Sequence, residues 1–287
     1  DEIHRYLISE RVVSLAAIKK EISNLLKTGE IISKAGFFLP SSSVGWRIPL
    51  PYSLILLRQR RNKISQKKLA IAKQASGLIS IIPWVKMVAV TGALAMENSD
   101  ENDDIDLMVI TSKNRLWIVR PLVYLFASFF FKRRRPIIKG LALGPQGQAL
   151  SKSISDVSNT ICLNLWLDES ALAIPLGQRN LYTAHELAQM KPVVNKDGIY
   201  ERMMWENRWG RTYLANVWGR LKGQQVFNLL TCQPANLLNI LAFNLQFHYM
   251  KPKMTNERVF LHSAFFHPGN RADTILSAYD RLCHRSF

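Results

Sequence analysis

The chain has 287 residues, 48% of them hydrophobic and 21% charged, which sets aside wholesale disorder, collagen and coiled-coil classes and leaves one large domain or two to three small ones. Lys and Arg number 38 against 21 Asp and Glu, a formal net charge of +17, so nucleic acid, nucleotides and anionic lipid are the favoured partners. Three widely spaced cysteines, Cys162, Cys232 and Cys283, supply neither a disulfide framework nor a CxxC zinc site, and a reducing cytoplasm is the expected compartment.

The opening DEIHRYLISE carries four acids or bases, which no signal peptide does. It begins at Asp1 inside an amphipathic helical pattern, so a preceding segment is expected. Leu15, Ile18, Ile22, Leu25 and Leu26 keep helical spacing up to Thr28-Gly29. Ile31-Ile32, a Lys34-Ala35-Gly36 turn and Phe37-Phe38-Leu39 then predict a hairpin. Helix, helix, hairpin resembles winged helix-turn-helix modules in general, with Lys19, Lys20, Ser23 and Lys27 on the solvent side of the helix that would meet DNA. A plain helical packing domain with a solvated basic face is the competing reading.

Pro40 to Pro51, rich in Ser and Pro, marks a linker or wing tip. A basic helix follows: Arg58, Arg60, Arg61, Lys63, Lys67, Lys68 and Lys73 come without an acid among them, while Ile64, Leu69, Ala72, Ala75 and Ile79 leave one face for a core. Past Pro83, Val85 to Val90 and Ile105 to Ile110 predict two strands, and residues from about Arg115 to Phe131 a crossover helix. A third strand is expected near Ile161 to Leu167. The sixteen residues Leu116 to Phe131 are interrupted by Arg120 and Pro121 and followed by Lys132 to Arg135, so a buried helix is expected rather than a transmembrane one. Beyond Pro175 the pattern turns helical, over Tyr182 to Met190, Tyr200 to Leu221, Ala235 to Met250 and Ala272 to Cys283.

The stretch from Val90 to Ile110, VTGALAMENSDENDDIDLMVI, carries the most chemistry. Glu97, Asp100, Glu101, Asp103, Asp104 and Asp106 fall within ten residues that hold no base. Asp104 and Asp106 stand at i and i+2 where the strand begins, so their side chains leave the same face and converge. Two ionised carboxylates so placed repel unless a cation neutralises them, and Mg²⁺ takes one or two carboxylates plus substrate phosphates. A calcium loop counted from Asp100 fails, because Ile105 replaces the glycine at its sixth position and Thr111 the glutamate at its twelfth. A zinc-protease motif at His185-Glu186 fails because Gln189 stands where the second histidine belongs.

At these residues the chain resembles the nucleotidyltransferase superfamily typified by DNA polymerase beta. The family's glycine and Asp-x-Asp stand here as Thr91-Gly92-Ala93 and Asp104-Ile105-Asp106. More closely it is similar to bacterial and archaeal nucleotidyltransferase-domain proteins, through Ile82-Pro83-Trp84-Val85 to Asn98, Asp103 to Leu107, and Arg115-Leu116-Trp117. The match covers roughly residues 62 to 170.

The expected fold is α+β: a winged-helix-like segment over 1–50 and a helical region over 176–287, both read from the residue pattern, flank a core over 51–175 that the resemblance implies is a small mixed-sheet nucleotidyltransferase core. It implies that Gly92 and the amide of Ala93 approach a triphosphate, that Asp104 and Asp106 hold two Mg²⁺ ions, and that ATP is the expected donor to an acceptor left open. Two departures accompany it. Ala93 replaces the family's serine, and the third carboxylate is not obvious. On the third strand Ile161, Leu163, Leu165 and Leu167 are expected on one side, with Cys162, Asn164, Trp166 and Asp168 on the other, so Asp168 is the candidate third ligand. Lys113, Arg115 and Arg120 follow the second strand as candidate phosphate contacts. The alternative is a non-catalytic nucleic-acid-binding regulator that keeps the fold as a nucleotide sensor, favoured by the positive charge, the winged-helix-like start and Ala93.

Overall fold

A computed structural model describes residues 1–41, 51–131, 159–221, 236–254, 257–266 and 271–283. The chain is α+β and is organised by one six-stranded mixed sheet with helices on both faces. The Ser- and Pro-rich linker lies almost wholly outside the described residues, as do Lys132 to Arg135.

A short helix, α1 (Glu2–Arg5), leads to α2 (Leu15–Thr28) and the hairpin of β1 (Ile31–Lys34) and β2 (Phe37–Pro40). The side chain of Ser14 caps α2 by accepting from the Ala17 amide, and Gly29 ends it in the left-handed region at φ +74°. The helix, helix, hairpin order is thus present, but residues before α2 belong to the body of the protein. Tyr6 packs against the core that includes Leu214 and Trp218, Ser9 bridges to Leu214, and Asn216 accepts from the Val13 amide and donates to the His4 carbonyl. From α2 to β2, Ile18 is the only buried hydrophobic residue.

The long helix α3 (Pro51–Ile79) precedes β3 (Val85–Val90), the one-turn α4 (Gly92–Ala95) and β4 (Ile105–Thr111), which returns antiparallel to β3. Helix α5 (Leu116–Phe130) crosses over to β5 (Ile161–Asp168), parallel to β4. Ala72, Ala75 and Ile79 of α3 are buried as expected, with Leu116, Trp117, Val119 and Val123 of α5, against Val88, Val90, Leu107 and Val109 on one face of the sheet. Among the described residues no helix is long and apolar enough to cross a membrane.

The region past 175 is not wholly helical. Helix α6 (Leu181–Gln189) is capped by Asn180 and runs into β6 (Lys191–Asn195), which pairs antiparallel with β3. After α7 (Ile199–Glu206), α8 (Ala215–Trp218) and α9 (Asn236–Met250), the short strands β7 (Arg258–Val259) and β8 (Ser263–Phe265) attach to β5. Helix α10 (Arg271–Cys283) follows, and the sheet order is β6-β3-β4-β5-β8-β7. The expected single helix from Tyr200 to Leu221 is broken at Asn207. Its fully buried amide donates to the carbonyls of Leu172 and Met203 and accepts from the Ile174 amide, so it serves the neighbouring loop instead of continuing a helix. Helices α6, α7 and α8 cover the second face of the sheet, over Met87, Ala89, Met108 and Ile110.

Candidate metal centre at the end of the β3–β4 hairpin

The six acids of the 97–106 loop separate into four groups. Glu97, at φ +52°, takes bonds from Asn62 (2.9 Å), Gln66 (3.0 Å) and Lys191 (2.7 Å), while its carbonyl accepts from Arg58 (2.6 Å). Asp100 and Glu101 pair with Arg61 and Arg60 at 3.7 and 3.0 Å. Asp103 folds back to accept from the Asp100 amide at 2.7 Å. Lys68, 1% exposed, donates to the carbonyls of Glu101 and Asp103, and burial pushes its ammonium pKa down while the nearby carboxylates oppose that shift. Much of the basic helix is therefore a brace for the acidic loop. Of its bases, Arg60, Lys63, Lys67 and Lys73 are exposed, Arg60 while paired with Glu101.

The hydrogen bond from Lys191 is the main reason that the Glu97 carboxyl titrates below the usual glutamate range. Its contribution to stability is thus fully present above that range and is lost as pH falls through the lowered value. We expect the parent to exceed Glu97→Gln in urea midpoint near neutral pH and the two to converge on acidification from about pH 7 to about pH 3. A constant gap across that range would remove Glu97 from the loop's anchoring.

Asp104 and Asp106 remain, both half-buried. Asp106 stands opposite Cys162 in the parallel β4–β5 register, and Asp104, Asp106 and Cys162 each offer a ligand atom within 4.8 Å of the others. Asn164 donates to Asp106 Oδ1 at 2.6 Å and fixes the carboxylate. From the hairpin's other arm, the Thr91 amide donates to the Asp106 carbonyl (3.1 Å). Gly92 then turns at φ +63°, where an added Cβ would lie 2.8 Å from Asp106 Oδ2. Only glycine brings the backbone this close to the carboxylate. Ala93 beside it is exposed.

The other expected members of the site lie elsewhere. The register of β5 shifts between Leu107 and Met108 of its partner, so Leu107 faces Leu163 and Met108 faces Leu165. This bulge at Asn164 reverses the alternation. Ile161, Leu163 and Trp166 share one core while Leu165 and Leu167 join the other. Asp168 also sits at the far end of β5, opposite Thr111 and six residues past Cys162. It is fully buried and accepts from the amides of Asn114 (3.0 Å) and Ser170 (2.8 Å), with the His262 ring 2.8 Å away. It is not the third ligand, and Cys162 holds the place facing Asp106.

Lys113 and Arg115 follow the same far end, about 17 Å of strand beyond Asp106. Arg115 lies over the Trp84 ring (5.3 Å), and Arg120 is held over Tyr124 and Phe266 and bonded to Gln246 (2.9 Å). None of the three reaches the Asp pair. Lys191, opposite Val90 in the β6–β3 register, spends its ammonium on Glu97, and nothing before Pro192 marked it as part of a strand.

No protein-family model matches the chain, and comparison with curated proteins and with solved structures finds no match.

Proposed function

We propose that the chain is a metal-dependent nucleotidyltransferase, in which a nucleophile on an acceptor attacks the α-phosphorus of a nucleoside triphosphate and pyrophosphate leaves. The observation that carries this reading is the meeting of Asp104 and Asp106 under Gly92, where backbone without a side chain approaches a carboxylate. The donor set suits a divalent cation. Two carboxylates are hard oxygen ligands of the kind Mg²⁺ and Mn²⁺ take, and the Cys162 thiol adds a softer third arm. When bound there, such a cation supplies charge neutralisation for the leaving pyrophosphate and activates the attacking oxygen. Asn164 orients Asp106, and the turn at Gly92 and Ala93 offers its amides to phosphate oxygens. ATP is the first donor to try, and small molecules, protein hydroxyls and RNA ends are the acceptors to screen. Incubating the protein with each labelled triphosphate, Mg²⁺ or Mn²⁺ and cell extract tests the proposal. Metal-dependent pyrophosphate release supports it, and its absence with all four triphosphates counts against it.

A second reading, a nucleic-acid-binding regulator on the same fold, is favoured by α2, where Lys19, Lys20, Ser23 and Lys27 are all exposed. If the three lysines each neutralise a phosphate of duplex DNA, log affinity falls against log salt with a slope of about −3. Fluorescence anisotropy over a salt series measures it. Glutamine at the three positions should flatten the slope, and binding indifferent to salt would leave these lysines as a solvated face.

A further inference from the structure

Helix α9 turns one side to the protein and, among the described residues, leaves an apolar side exposed. Asn239 is fully buried and accepts from the Trp117 amide (2.9 Å), Phe243 meets the Trp117 ring edge-on (5.1 Å), and Gln246 donates to the Trp117 carbonyl (2.6 Å). On the opposite side Leu237, Leu241, Leu245 and Tyr249 recur every fourth residue and are 68%, 56%, 77% and 70% exposed. That spacing makes one stripe about 20 Å long. The neighbouring helix α5 adds Leu125 and Phe129, 54% and 76% exposed. Scattered exposed leucines need no explanation, but an apolar stripe of about four turns on α9 beside a helix with further exposed apolar side chains marks an interaction surface.

Charge says what kind of surface it meets. Lys251 and Lys253, both exposed, follow α9 directly, and in the sequence Lys132, Arg133, Arg134 and Arg135 follow Phe131 at the end of α5. Trp117 bonds to Asn239, whereas Arg120, one turn on, reaches Gln246, so the two helices advance in the same sense. A second copy brought onto this face would set like charges against each other in a chain of net +17, whereas an anionic bilayer attracts them.

We propose that the α5–α9 layer seats the protein on a membrane surface carrying anionic lipid. The apolar stripe enters the boundary between headgroups and acyl chains, and Lys251 and Lys253 lie against the headgroups. The helices lie on the bilayer and do not span it.

The test is co-sedimentation of the full chain with phosphatidylcholine vesicles, with and without phosphatidylserine. Binding should be at least about tenfold tighter to the anionic vesicles. The double substitution Leu245→Gln with Phe129→Ser, at positions that support no core, should weaken it by about tenfold or more. Lys251→Gln and Lys253→Gln should each cost about fivefold. Unchanged circular dichroism and melting of the variants establish that the fold is retained. Failure to bind anionic vesicles overturns the proposal, as does binding that the apolar substitutions leave unchanged. A dimer in sedimentation equilibrium that Leu245→Gln with Phe129→Ser dissolves also overturns it and gives the face to a second copy.

Discussion

Asp106→Asn should lower metal-dependent pyrophosphate release by about a hundredfold or more while leaving the protein folded. Asn keeps the shape of the side chain and can still accept the bond from Asn164, so the chief change is the loss of a charge. Removing one of two converging carboxylates also relieves their mutual repulsion, which offsets part of what the lost charge contributed, so the metal-free variant should melt close to the parent. A second readout separates binding from turnover. Mn²⁺ at about a hundred times its Kd should stabilise the parent by about 2.7 kcal/mol, and Asp106→Asn and Asp104→Asn should each lose most of that shift. Cys162→Ser should keep the Mn²⁺ response and weaken the response to thiophilic Cd²⁺. Near-parent turnover in either Asp variant would remove the pair from the proposed chemistry.

Gly92→Ala should damage both the fold and the site, and a comparison with Gly29→Ala separates the causes. Both glycines sit at positive φ, +63° and +74°, so either substitution carries a conformational cost of about 1 kcal/mol. Around Gly29 an added Cβ meets nothing within 4 Å, whereas at Gly92 it meets Asp106 Oδ2 at 2.8 Å. The carboxylate must swing away and lose the Asn164 bond, or the turn must open and lose the bond from Thr91 to the Asp106 carbonyl. We therefore expect Gly92→Ala to cost about 2–4 kcal/mol in urea unfolding, against about 1 for Gly29→Ala. It should abolish the thermal response to Mn²⁺, which Gly29→Ala should retain. Equal losses for the two variants would mean that Gly92 matters for its backbone angle alone.

Local patterns in the sequence carried the central strands, the crossover helix and the buried face of α3, because each is long enough for its period to show. The meeting of Asp104 with Asp106 was also legible, since i and i+2 on a strand share a face. Strict alternation carried the reading of β5 past Asn164 to Asp168 and failed there. A bulge adds one residue, so every later side chain changes face, and nothing local in Ile161 to Asp168 announces it. The edge strands were missed for a different reason. β7 and β8 have two and three residues, too few for a period, and β6 contains Pro192, which argues against a strand except at an edge. Helix periodicity groups Lys68 with the other bases of α3. Its burial depends on carbonyls of a loop some thirty-five positions away, which helix periodicity does not record.

The two edges of the sheet are supplied late in the chain, and this sets an order of events during synthesis. β3, β4 and β5 are complete once Asp168 has emerged, yet β6 ends at Asn195 and β8 at Phe265. The outer side of β5 must wait for about 100 further residues, which at about 5–20 residues per second is roughly 5 to 20 seconds on the ribosome. Through that interval a strand of eight residues, ICLNLWLD, offers its unpaired amides and carbonyls to any neighbouring nascent chain. A chaperone that shields extended apolar segments, or slow dilution during refolding, should therefore raise the yield of this protein far more than it raises that of a fold whose edge strands are made first.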